Sequence, residues 1–102
     1  MIDEATVEAQ IQEKGLTAPR VKPEDLDAEM NAAEVQYFLF PGTTVTVCCV
    51  VLKNGYSVVG TAAAASPENF NAEVGRNVSW KDARSKLWGL LGFRLRDQLS
   101  EV

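Results

Sequence analysis

The amino-acid sequence predicts an α+β fold: two N-terminal helices, a three-stranded antiparallel meander, a long C-terminal helix packed on the sheet, and a short terminal strand. Three observations carry that expectation. Apolar residues recur at helical spacing before residue 34, as in Leu26, Met30 and Ala33. From Val35 the chain turns β-branched and aromatic, punctuated by the turn signals Pro41-Gly42 and Asn54-Gly55. Further on, Gly75, Ser79, Ala83 and Leu87 recur every four residues, a mostly small helical stripe suited to close packing on a sheet.

Asp3 to Lys14 is rich in Ala, Glu and Gln, and Gly15 stands where a helix C-cap belongs. Its apolar residues, Ile2, Val7 and Ile11, form a thin stripe that packs weakly or needs a partner chain. Leu16 to Lys22 contains Pro19 and reads as a connector. Pro23 suits the first turn of a second helix, with Glu24, Asp25 and Asp27 near its positive end. Leu26, Met30 and Ala33 give that helix one face to bury.

Strands are expected over Val35–Phe40, Thr44–Leu52 and Tyr56 to about Ala63. Asn54-Gly55 predicts a two-residue type I′ hairpin, because both residues tolerate positive φ. That register sets Val51 against Val58, Cys49 against Gly60 and Val47 against Ala62, with Val50 and Val59 paired on the other face. Ala62 to Ala65 reads as a strand end whose small side chains admit a close neighbour. Ser66 is placed as an N-cap with Pro67 at the first helical position, for a short turn around Glu68-Asn69-Phe70. One long helix is expected from about Ala72 to Leu90, ended by Gly92, with Phe93–Arg96 alternating as the terminal strand.

At 102 residues and 11.1 kDa the chain supports one domain. Within it, residues 1–34 form an acidic helical arm, with nine acids against three bases. Residues 35–102 form an α+β body with five acids, seven bases and all eight aromatics. The net charge of −4 makes nucleic acid an unlikely partner, since non-specific binding is mostly phosphate neutralisation. No apolar run spans a bilayer, and Met1-Ile2-Asp3-Glu4 does not start a signal peptide. No membrane association and a cytoplasmic location are therefore expected.

Histidine is absent, which removes the usual neutral-pH base, the Ser-His and Cys-His nucleophile pairs and the commonest metal ligand. Cys48 and Cys49 are adjacent, so they form no CxxC site and read as reduced, buried small hydrophobes. Glu68, Glu73 and Asp82 read as solvated single carboxylates. There is no Walker loop, nucleophile elbow or dinucleotide turn. Accordingly no catalytic residue, metal ligand or cofactor is assigned, and an enzyme is not expected.

Binding chemistry is better supplied. Tyr56, Phe70, Trp80 and Trp88 share the body with Arg76, Lys81, Arg84, Lys86, Arg94 and Arg96. A ring that stacks and a guanidinium that forks onto phosphate oxygens suit a phosphate-bearing nucleobase. The competing reading makes the tryptophans core filling and the arginines an ordinary solvated helix face. Asn69 and Phe70, in a loop with no obvious packing need, stand apart from it.

Several runs in order carry a family likeness: Pro41-Gly42-Thr43-Thr44-Val45-Thr46-Val47-Cys48, Leu52-Lys53-Asn54-Gly55-Tyr56, and Ala64-Ala65-Ser66-Pro67-Glu68-Asn69-Phe70-Asn71. Glu73-Val74-Gly75-Arg76, Lys86-Leu87-Trp88 and Gly92-Phe93-Arg94-Leu95 continue it. The chain resembles the small tailed-phage and prophage proteins named after the gene 49 and gene 66 products of two enterobacterial phages. Tyr56, Ala64 and Gly89 depart from residues common in that family. More distantly, it is similar to phage sponge proteins that counter the Thoeris defence. Those sequester cyclic ADP-ribose isomers, and some hold cyclic oligonucleotides, usually as symmetric oligomers.

The resemblance implies a ligand site of Arg20, Tyr56, Ser66, Asn69 and Arg84, with Tyr56 as purine stacker, Ser66 and Asn69 as polar contacts, and the two arginines on phosphates; the loop reading adds Phe70 as a sixth ligand residue. The resemblance also implies a homo-oligomer, and the thin apolar stripe of the acidic N-terminal helices makes them the expected contact between subunits. Two other readings stand beside the sponge. One is an adaptor that binds or inhibits a host protein through the apolar hairpin or acidic arm. The other is a double-stranded RNA-binding-like module, in which Lys81, Arg84 and Lys86 would meet phosphates.

Overall fold

The computed structural model describes residues 3–16 and 18–101. Its elements run α1 (Glu4–Glu13), α2 (Pro23–Asn31), β1 (Glu34–Leu39), β2 (Val45–Val51), β3 (Ser57–Ala63), a 3₁₀ turn (Pro67–Asn69), α3 (Ala72–Ser85) and α4 (Leu87–Ser100). The strands form one antiparallel sheet in the order β1-β2-β3, so the α+β architecture and the meander are as expected. The molecule measures 52 × 32 × 18 Å. Its short axis accommodates one helical layer on one sheet, leaving the other sheet face uncovered.

Local chemistry explains the N-terminal elements. Asp3 accepts the Thr6 N–H at 2.7 Å, which caps α1. Gly15 ends it at φ +68°, with Gly15 N–H on the Gln12 carbonyl and Leu16 N–H on the Ile11 carbonyl, the Schellman arrangement. α1 buries no residue; the Ile2 of its predicted stripe lies outside the described residues. α2 starts at Pro23, and the Asp25 carboxylate accepts the Lys22 N–H at 2.8 Å. Leu26 and Met30 go into the core, so this helix contributes directly to the body.

The core is shared by Leu26 and Met30 of α2, Cys48, Val50, Leu52 and Val58 of the hairpin, and Ala83, Leu87 and Leu91 from the C-terminal helices. Trp80 and Trp88 pack against it, which answers the question of the tryptophans in favour of core filling. The small stripe is buried as its spacing implies: Ser79, Ala83 and Leu87 are each 0% exposed. Gly60 lets the helix come down on β3. A Cβ there would lie 2.0 Å from the Ser79 carbonyl oxygen and 2.4 Å from the Ala83 nitrogen.

The hairpin register differs from the expected one by a residue. Val50 faces Val58, Cys48 faces Gly60 and Thr46 faces Ala62. The cause is the turn. Leu52 N–H bonds to the Tyr56 carbonyl and Gly55 N–H to the Leu52 carbonyl, leaving a three-residue loop of Lys53, Asn54 and Gly55. Only Gly55 takes positive φ, because the Asn54 side chain accepts the Tyr56 N–H at 2.9 Å and settles the loop without a left-handed asparagine. The shift sends Cys48 to the core and half-exposes Cys49 on the uncovered face.

Two further expectations are corrected. The C-terminal helix is broken at Lys86, where the Ser85 hydroxyl donates to the Asp82 carbonyl and Lys86 N–H tightens onto Ala83. The terminal strand does not form: Phe93–Arg96 is helical, and Gly92 lies inside α4. Leu, Arg and Gln favour helix, and one interior glycine costs only about 1 kcal/mol.

Candidate functional site

The chain between β3 and α3 builds a groove around one aromatic ring. After the 3₁₀ turn, Phe70 N–H donates to the Pro67 carbonyl and Phe70 leaves in extended geometry. Asn71 then caps α3 by accepting the Val74 N–H at 3.0 Å. This holds Phe70 between the helix start and the sheet. Gly75 makes room beneath it, since a Cβ there would reach Thr46 Oγ1 at 2.7 Å and Phe70 Cε1 at 3.9 Å.

Phe70 separates two cavities. One, of about 230 Å³, is floored by Ala62, Ala63, Ala64, Val74 and Val78, with Thr44, Asn69 and Asn71 as its polar members. The other, of about 180 Å³, is lined by Tyr37, Leu39, Thr46, Ala72 and Arg76. Among the described residues Arg76 makes no ion pair, and the Asn69 side chain makes no hydrogen bond within the chain. Burial pushes the Tyr37 phenol up from its ordinary value, while nearby Arg76 pulls the other way. Burial likewise raises the Cys48 thiol, which faces Tyr37 across the ladder and is no reactive thiolate. The groove thus offers a stacking ring, an apolar floor, an amide and a guanidinium, and no activated nucleophile.

Of the six expected ligand residues, Asn69 and Phe70 meet here. Ser66 is close in sequence but turned to the Glu68 carboxylate, to which its hydroxyl donates, instead of capping the turn as expected. Tyr56 sits on the hairpin turn, 57% exposed, and lines neither cavity. Arg20 forks onto Glu8 of α1 at 2.5 and 2.9 Å. Arg84 forks onto Glu4 at 2.6 and 3.1 Å and reaches Asp27 at 3.0 Å. Each guanidinium is held above its ordinary range, chiefly by hydrogen bonding to its glutamate. The chain's own carboxylates therefore occupy both predicted phosphate forks, and the six side chains do not converge within one copy.

Tyr37 and Arg76 are the groove residues that the sequence did not single out as a pair. Arg76 was visible as one basic residue among several. Tyr37 could be placed only through strand pairing, which brings it opposite Cys48 and below α3. Among the described residues no group of His, Cys, Asp and Glu is arranged to hold a metal ion, and no helix is long and apolar enough to cross a membrane.

A two-layer α+β chain with a ligand-sized groove at the helix-to-sheet seam is the class that this geometry defines. The chain belongs to the phage protein (N4 Gp49/phage Sf6 gene 66) family, whose model matches residues 2–99. No curated protein and no solved structure matches it.

Proposed function

We propose that this phage-family protein is a non-catalytic binder that captures a nucleotide-derived immune signal in the host cytoplasm, a cyclic ADP-ribose isomer or a cyclic oligonucleotide, and holds it intact. The observation that carries this reading is the Phe70 ring standing between two cavities, with Asn69 on one side and Arg76 on the other. A base stacked on Phe70 would present its phosphate to Arg76 and an edge to Asn69. The cavities together fall low in the range of about 300–1,000 Å³ usual for small-ligand sites. Stacking contributes about 1–3 kcal/mol and a charge-assisted hydrogen bond about 1.5–3. That is short of the roughly −12 kcal/mol of nanomolar capture, so one copy alone binds weakly.

Calorimetric titration with cyclic ADP-ribose isomers and cyclic dinucleotides tests the assignment. Phe70→Ala and Arg76→Ala should each weaken binding about tenfold or more, the loss of one such contact. Arg84→Ala should leave it unchanged. The reverse pattern would move the site to the forks beneath α1. Heating the complex should return unaltered ligand, and a hydrolysed product would overturn sequestration.

The uncovered sheet face favours one other reading, an adaptor for a host protein. Phe38 and Phe40 stand there edge to face at 4.9 Å, 54% and 47% exposed. One stoichiometric host protein retained by the wild type and lost with Phe40→Asp would support it. The RNA-binding reading is weakened because Arg84 is spent on Glu4 and Asp27, and Lys86 on the Val59 carbonyl.

A further inference from the structure

The two edges of the sheet are finished differently. On β3 the backbone groups of Val59 and Thr61 point outward, since the Leu52–Tyr56 bond sets the opposite phase for the inward pairs. Charged side chains cover one group of each: Asp82 accepts the Thr61 N–H at 2.9 Å, and Lys86 Nζ donates to the Val59 carbonyl at 2.5 Å. Blocking of this kind is how a sheet edge is kept from pairing with another chain.

β1 has no such cover. The bond from Phe40 N–H to the Val45 carbonyl turns the N–H and C=O of Val35, Tyr37 and Leu39 outward. Among the described residues nothing bonds to them. The strand contains no lysine, proline or bulge, and its single charge, Glu34, is at one end. Tyr37, Phe38 and Leu39 are 40%, 54% and 43% exposed.

We propose that a second copy of this chain docks on β1, antiparallel, about a two-fold axis at Tyr37, merging two three-stranded sheets into one. The edge is complementary to itself. Its outward residues are spaced symmetrically about Tyr37, so Tyr37 meets the partner's Tyr37 and Val35 meets the partner's Leu39, each N–H opposite a C=O. The two Glu34 carboxylates fall at opposite ends and do not meet. Surface area agrees. The chain exposes 7185 Å², about 1,500 Å² more than the roughly 5,700 Å² expected of a monomer of its mass. A stable dimer buries about 800 Å² per partner. The radius of gyration, 16.3 Å, likewise exceeds the roughly 13 Å of a compact chain of this length. Tyr37 and Leu39 also line the smaller cavity beside Phe70, so the partner's strand would add a wall to it. The docking itself does not depend on the ligand reading.

Sedimentation equilibrium and native mass spectrometry of the full chain test this. The wild type should be a dimer at about 100 µM, and a monomer there would overturn the proposal. Tyr37→Pro removes an outward donor without touching the ladder to β2, and should give a folded monomer. A second pair of variants decides the matter even if that one fails to fold. In the proposed register Gln36 lies opposite the partner's Phe38 in a close, non-hydrogen-bonded pair. The double variant Gln36→Lys with Phe38→Lys should therefore dissociate about tenfold more readily than Gln36→Glu with Phe38→Lys, where opposite charges face each other. Equal dissociation of the two would show that another surface joins the copies and would overturn the β1 edge.

Discussion

Two helices are attached to this molecule by opposite means. α3 lies on β2 and β3 through small, fully buried side chains, with Ser79 and Ala83 pressed against Gly60. α1 buries nothing and is held by Glu4 on Arg84 and Glu8 on Arg20, above a cavity of about 330 Å³ that reaches Val7, Ile11, Val21 and Trp88. The first contact is steric and does not depend on a charge pair. The second is electrostatic and answers to salt and acid, although both are helix-to-body contacts in one small chain.

The largest expected effect tests the steric contact. Gly60→Val would drive its Cβ into the Ser79 carbonyl and the Ala83 backbone, which are rigid helix atoms that cannot swing aside. A loss of about 3 kcal/mol or more is expected in urea unfolding, at the upper end for overpacked cores. A loss below 1 kcal/mol would mean that the helix rides higher on the sheet than the structure places it.

A much smaller effect is expected at the other helix. Arg84→Ala should cost about 1 kcal/mol or less, because Glu4 and Asp27 are substantially exposed and such pairs are screened. Faster amide exchange confined to α1 should accompany it, and about 1 M salt should mimic it in the wild type. If exchange rose equally in α3, the two contacts would not be independent.

Acid should separate the same two contacts most gently. Arg20 holds the Glu8 carboxylate below its ordinary value of 4.5, and Thr6 holds that of Asp3 below 3.8. For carboxylates depressed by folding, the contribution is complete above those ordinary values and is lost as pH falls through the lower folded ones. α1 should therefore loosen below about pH 4 while the Gly60 contact stays protected, as hydrogen exchange across that range would show. Release of α1 already at pH 6 would contradict the assignment.

The legible part of the fold was what neighbouring residues decide among themselves. Gly15 after Lys14, Pro23 before Glu24 and the four-residue step from Gly75 to Leu87 each reveal a local structure through a local preference or a helical period. The misread parts depend on competition. Asn54-Gly55 is compatible with two loop lengths, and the Asn54 side chain chose the longer. Phe93–Arg96 alternates like a strand, yet it follows buried Leu91 on a helix already under way. The candidate site divides similarly: Asn69 and Phe70 announced themselves as a loop without a packing role, whereas Tyr37 and Arg76 joined them only through strand pairing and helix placement.

By itself, the sequence determined the two N-terminal helices, the three strands, the small face that α3 presents, and a chemistry without histidine, because these follow from composition and from periods shorter than about two helical turns. Tertiary structure alone decided which arginines have acidic partners, where the hairpin register falls, and that charged side chains reach one sheet edge and not the other. Glu4 and Arg84 are 80 residues apart, and no local preference can foretell a bond made only after the chain has folded back on itself.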